Sequence, residues 1–295
     1  ADRAWNRESA VFRITGVLSV IGGWFITAGA AFIVSFLITN GLFFGSFVAI
    51  VIAIIVAITI LIHSNLRNTK NNKNSEADKL FSKILYSDDK TECWLLLCNH
   101  VKLTTMDNLQ FVTLNYEAMT TAFFHEDYRT LKHTVAQFDG QRKDIKRQRR
   151  KQIIALRRID PVLSVEKGTW YFLTINSLSQ MVYCLKRMGE PCLEYVANNF
   201  RPIPGKYVNE FLTLRDEIVR IFRRAISDET THHIRDDAAR IQNALSDYRK
   251  RIIRDIQTKQ LNIESMTVFL NLVQESQELL SALRHTMRGK NKFEE

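Results

Sequence analysis

The chain has 295 residues and a mass of 34.2 kDa, with 24% of its residues charged and a formal net charge of +10. A mean hydropathy of -0.13 conceals a partition, because Ile14–Ile62 holds 49 consecutive residues without Asp, Glu, Lys or Arg while the remainder is rich in charge. Helices of a water-soluble domain need a wet face, so this partition excludes a wholly soluble protein.

The chain opens at Ala1 in charged sequence, with no initiator Met and no signal-peptide pattern, and reads as a piece of a longer polypeptide. Thr39-Asn40-Gly41 is the one strong turn signal in the apolar stretch. It divides the stretch into Val11–Ile38 and Leu42–Ile62, of 28 and 21 residues. At about 1.5 Å per residue each can cross a hydrocarbon core of roughly 30 Å. Arg3, Arg7 and Arg13 precede the first span, Arg67, Lys70, Lys73 and Lys79 follow the second, and the turn is uncharged. Residues 1–63 are therefore expected to form a two-helix transmembrane hairpin with both ends cytoplasmic. Ser19, Gly23, Thr27, Ala31 and Ser35 recur every four residues in the first span, as do Gly41, Gly45, Ala49, Ala53 and Ala57 in the second. Such stripes let another backbone approach closely, so further membrane helices, upstream or in a second copy, are expected against them. Neither span carries an ionisable group at depth, which makes these two helices scaffold rather than a transport path.

Residues 64–78 are polar and read as a linker, and residues 79–290 as a cytoplasmic up-and-down helical bundle of about six helices. Asp89 and Glu92 have capping-box spacing ahead of an amphipathic run through Trp94, Leu97, Val101, Leu109, Val112, Tyr116, Met119 and Phe123. Breaks are expected at Gly140, at Asp160-Pro161 and from Pro191 to Gly205. Trp170–Met188 is apolar on several sides and reads as a central helix. Phe211, Leu214, Ile218 and Phe222 mark a further helix. Ile234, Ala238, Ile241, Leu245, Tyr248, Ile252 and Ile256 step by three or four, and Ile263, Met266, Phe269, Leu270, Val273, Leu280 and Leu283 mark the last helix. No segment shows convincing strand alternation, so the fold class is all-α.

Cys93, Cys98, Cys184 and Cys192 show no CxxC spacing and read as reduced thiols. Glu229 and His232 have the Glu-x-x-His spacing of di-iron bundles, but the second pair such sites need is missing; they are weak metal candidates. No phosphate loop, nucleophile elbow or HExxH occurs, so neither an enzyme nor a cofactor is expected. The strongest local feature is Gln141–Arg158, with a net charge of +8 from Arg142, Lys143, Lys146, Arg147, Arg149, Arg150, Lys151, Arg157 and Arg158 against Asp144. It lacks the interleaved aromatics of a nucleic-acid surface. Two readings remain for it, a surface facing anionic lipid and a solvated helix face with Ile145, Ile153, Ile154 and Leu156 turned inward.

Asp2-Arg3-Ala4-Trp5-Asn6-Arg7-Glu8-Ser9-Ala10-Val11, followed by Arg13-Ile14-Thr15-Gly16-Val17, resembles the segment after the second signature of Pit-type inorganic phosphate transporters. The helical remainder is similar in length and pattern to PhoU-like domains, which are built from three-helix units. The resemblance implies cation-coupled symport of inorganic phosphate by a multi-pass protein of the cell (inner) membrane. This chain would supply terminal packing helices and a regulatory or assembly domain. Implied partners are membrane lipid, the remaining transmembrane helices, phosphate with its coupling cation, and a homo-oligomeric copy, without nucleic acid. The substrate signatures are absent from these residues, so no phosphate-binding position carries over. The Glu-x-x-x-Asp pairs of PhoU-type metal clusters are absent too; Glu190 and Glu194 come nearest. The rival reading is a membrane-anchored helical sensor or interaction module without transport activity.

Overall fold

The computed structural model describes residues 21–36, 39–40, 43, 54, 58–59, 76–227, 231–259 and 261–294. No strand occurs among them, and the chain is all-α. It divides into two compact units, Ala1–Lys73 and Asn74–Glu295.

In the first unit, residues 21–36 form helix α1, on which Trp24, Phe25, Ile26 and Phe32 are 71–76% exposed. Its 16 described residues span about 24 Å at helical rise, short of a hydrocarbon core. Among the described residues no helix is long and apolar enough to cross a membrane, so the expected hairpin finds no support there. Most of 11–38 and 42–62 lies outside the described residues. Thr39 and Asn40 are helical rather than turned, and Gly41 is not described. The Asn40 amide donates to Phe36 O at 2.9 Å, an i−4 bond that lets a turn-forming residue stay in a helix.

The second unit contains α2 (Glu76–Tyr86), α3 (Lys90–Phe124), α4 (Tyr128–Leu156), α5 (Pro161–Ala197), α6 (Gly205–Ile226), α7 (Thr231–Lys259) and α8 (Ile263–Glu294). Helix α2 begins inside the stretch expected as linker, because Ala77, Phe81 and Ile84 share one face and pack inward. The helix starts follow side-chain chemistry. Asp89 accepts from Thr91 N at 2.9 Å, Asp127 from Thr130 N at 3.1 Å, and Asp160 from Val162 N at 2.9 Å with Pro161 in the first turn. Glu92 completes its cap indirectly, accepting from the Ser87 hydroxyl at 2.6 Å. Two ends are closed by left-handed residues, Glu126 (φ 55°) and Asn199 (φ 50°). Beyond them Asp127 N reaches Ala122 O at 2.8 Å and Phe200 N reaches Tyr195 O at 3.2 Å, the Schellman pattern.

One expected break does not occur, and another is narrower than expected, covering 198–204 rather than starting at Pro191. Gly140 sits exposed inside α4, where the leucine, isoleucine and phenylalanine positions on either side bury one continuous face. Pro191 lies inside α5, which runs on to Ala197. Proline cannot donate to the carbonyl four residues back. That carbonyl, Arg187 O, is taken instead by the Asn271 amide of α8 at 2.9 Å, so the helix continues with its hydrogen bond supplied from a neighbour.

Successive long helices run antiparallel, as the registers show. Asn108 meets Gln141 and His100 meets Gln152 between α3 and α4, and Asp139 meets Lys186 while Arg149 lies over Phe172 between α4 and α5. Arg224 meets Asp237 and Tyr207 meets Asp255 between α6 and α7. Helices α3, α4 and α5 pack on one another as one set, and α7 lies against both α6 and α8, which touch each other only slightly, as a second. The sets join chiefly along α5 and α8, and also along α3 and α6. At the α5–α8 crossing Gly289 is buried, and a Cβ there would stand 3.0 Å from Trp170 O and 3.1 Å from Thr174 N. Only glycine permits that approach of two backbones. Phe123, Phe124, Phe211, Tyr248 and Phe269 form an aromatic cluster where the two sets meet.

Candidate functional site

Seven of the nine basic residues of Gln141–Arg158 lie on the C-terminal half of α4, with Arg157 and Arg158 in the turn that follows, and the fold sorts them into three rows. At about 100° per residue, Lys143, Lys146, Arg147, Arg150 and Arg157 share one outward arc about 100° wide, with Ile154 among them. All six are exposed. Toward α5, Arg142 lies over Tyr183 at 5.3 Å and Arg149 over Phe172 at 5.5 Å. Toward α2, Lys151 donates to Asp78 at 2.5 Å and Arg158 to Leu85 O. The expectation that Ile154 turns inward fails: it is 48% exposed, whereas Ile145 and Leu156 are buried. In the outward row Arg147 pairs with Asp144 at 3.0 Å, and Lys143, Lys146, Arg150 and Arg157 have no acidic partner among the described residues.

The opposite face of α4 carries a seam of polar side chains that the charge pattern hid. Gln141 donates to Asn108 Oδ1 at 2.9 Å, Asn108 donates to Gln148 Oε1 at 2.8 Å, and Gln152 donates to Thr104 Oγ1 at 2.9 Å and to His100 Nδ1 at 3.3 Å. His100 is 1% exposed and lies edge-on to Phe81 of α2. Its Nε2 and Gln152 Oε1 have no hydrogen-bond partner among the described residues. Burial holds the His100 imidazole below its usual value, with Lys151 adding to the effect. Burial raises the Asp107 carboxyl, and Glu76 raises it further. Gln141, Gln148 and Gln152, spaced seven and four apart, are the sequence signal for this seam.

Between α5 and α8, Arg187 donates through Nε at 2.9 Å and Nη2 at 2.7 Å to the buried carboxylate of Glu275. Beside them burial, reinforced by Glu275, pushes the Cys184 thiol up to about 12. Cys93 and Cys192 are also buried free thiols, and Cys98 is half-buried. The Arg187–Glu275 pair ties α5 to α8, and burial disfavours a thiolate at Cys184 and Cys192.

The other expected positions are not gathered into a site. Among the described residues no group of three His, Cys, Asp or Glu could hold a metal ion. Glu229 lies outside the described residues, and His232 is exposed and paired with Asp236 at 2.9 Å. The unbroken α5 does place Glu190 and Glu194 one turn apart, but Glu190 pairs with Lys186 at 3.6 Å. Of the small-residue stripes, Gly23, Thr27, Ala31 and Ser35 are described, and no described atom stands within 4 Å of a Cβ built on Gly22, Gly23 or Gly29. Thr27 Oγ1 donates to Gly23 O at 2.7 Å, which keeps its hydroxyl satisfied within the helix. Ser19, Gly41, Gly45, Ala49, Ala53 and Ala57 lie outside the described residues. Comparisons with protein-family models, with curated proteins and with solved structures found no match.

Proposed function

We propose that this chain is the C-terminal part of a cation-coupled transporter of inorganic phosphate, in which residues 1–63 provide terminal membrane helices and the bundle serves as a cytoplasmic regulatory or assembly domain. The observation that carries this reading is the bundle of six long helices, α3–α8, in which α3, α4 and α5 pack mutually as a three-helix unit. Three-helix units are the building pattern of the PhoU-like domains that the soluble sequence resembles. The Asp2–Val17 stretch supplies the Pit-type resemblance, and 49 uncharged residues supply material for two membrane crossings. The exposed Trp24, Phe25, Ile26 and Phe32 around α1 agree with apolar surroundings for that helix.

Uptake of labelled phosphate by cells that lack other phosphate carriers and express the full-length protein tests the reading. Uptake that collapses with the driving cation gradient supports it; no uptake at any pH or gradient rejects it. The second reading, an anchored helical sensor or interaction module, is favoured by the lack of any ionisable group within Ile14–Ile62. Membrane spans with paired Asp/Asn signatures encoded upstream favour the transporter, and a soluble receptor or catalytic domain there favours the sensor.

A further inference from the structure

We propose that the outward row of α4, together with the first turn of α5, is a docking surface for an anionic lipid bilayer. This surface belongs to the bundle alone and needs no transport activity. Five bases, Lys143, Lys146, Arg147, Arg150 and Arg157, share one arc over four turns; against them stand Asp144, taken by Arg147, and the exposed Asp160 and Glu166 at the start of α5. Asp139, one turn before this row, is neutralised by Lys186 at 2.9 Å and Arg142 at 3.5 Å. Lys143, Lys146, Arg150 and Arg157 face outward with no ion-pair partner among the described residues. Exposed apolar side chains extend it. Ile154 stands within the row at 48% exposure, and across the short α4–α5 turn Val162 and Val165 are 76% and 78% exposed.

Bases around a few protruding aliphatic side chains suit a bilayer surface, where the charges meet anionic headgroups and the aliphatic groups enter the acyl boundary. Nucleic acid suits it less. Bases of a single strand stack on open aromatic faces, and the two aromatic rings beside this row, Tyr183 and Phe172, already carry Arg142 and Arg149. Beyond Arg158 the surface ends at the α2–α3 turn, where Asp88 and Asp89 are exposed and would be repelled by the same lipids.

The test uses the full chain carrying Cys98→Ser and Val162→Cys, labelled with an environment-sensitive fluorophore while the remaining cysteines stay buried. A second label at Asn243→Cys, exposed on α7, reports a face outside the proposed surface. The chain is reconstituted in nanodiscs of phosphatidylcholine alone or of equimolar phosphatidylcholine and phosphatidylglycerol. Emission at position 162 is expected to shift to the blue only in the anionic discs, with no shift at 243. Lys143→Glu, Lys146→Glu, Arg150→Glu and Arg157→Glu together are expected to lower the docked-to-free ratio by on the order of a thousandfold or more, returning emission to its aqueous value. Equal emission in both discs, or a shift untouched by charge reversal, overturns the proposal. So does a short DNA duplex bound by the unreversed row in place of lipid, with an affinity that falls steeply with salt. A chain that stays outside the discs yet shows the anionic shift supports docking while rejecting the membrane anchor, so the two ideas fail separately.

Discussion

Glycine and proline positions show how the same residue type takes opposite roles in one chain. Gly140 has no atom within 4 Å of an added Cβ and lies exposed in mid-helix, whereas Gly289 is pressed against the backbone of α5. Gly140→Ala is expected to raise unfolding stability by about 0.5–1 kcal/mol through helix propensity. Gly289→Ala is expected to lower it by about 1–3 kcal/mol, because a backbone obstacle cannot rotate away. Denaturant unfolding of the two variants checks both signs. Pro191 offers a paired test. Asn271→Ala strips the hydrogen bond from Arg187 O and is expected to cost about 1–2 kcal/mol. In a Pro191→Ala background the residue-191 amide can reclaim that carbonyl, so the cost of Asn271→Ala should shrink by about 1 kcal/mol in a double-mutant cycle.

At the scale of elements, α2 is the piece whose attachment depends on polar chemistry. It covers His100 with Phe81 and binds Lys151 through Asp78. Because burial lowers the His100 pKa from 6.5, the unfolded chain binds a proton that the native chain refuses. Stability therefore falls as pH drops below about 6.5, and is retained above it. Lys151 opposes protonation and Asp78 favours it, with burial the larger influence. Asp107 acts in a separate window: its raised pKa means that its contribution fades as pH rises above its ordinary 3.8. Unfolding measured at pH 7 and pH 5 should show a loss of stability that His100→Leu largely abolishes. An equal loss in that variant would assign the effect elsewhere.

For the whole molecule, the sharpest expectation concerns the solvent of residues 14–62. An apolar segment of that length, in membranes from cells expressing the chain, should resist extraction by alkaline carbonate and come out only with detergent. Release by carbonate alone would place the segment on protein rather than in lipid, and the transport reading would go with it. The compact unit Asn74–Glu295 has its own core, extending from Ile84 of α2 to Phe293 of α8.

Helix class, the faces of α3, α6, α7 and α8, and the start of α5 at Asp160-Pro161 were legible from residues alone, since a 3.6-residue period and a capping side chain are local properties. The basic segment was equally plain, because charge is a property of composition. Which of its members face outward was not: the fold alone sent Arg142 and Arg149 to aromatic rings, Lys151 to Asp78, and left Lys143, Lys146, Arg150 and Arg157 unmatched. The same holds for Pro191, which reads as a helix end until a distant Asn271 supplies the missing bond, and for Gly140, which reads as a break until packing on both sides holds the helix through it. Local propensities are worth about 1 kcal/mol per residue, and burial of a continuous apolar face outweighs them. Where the two agree, sequence decides; where they conflict, the partner helix does.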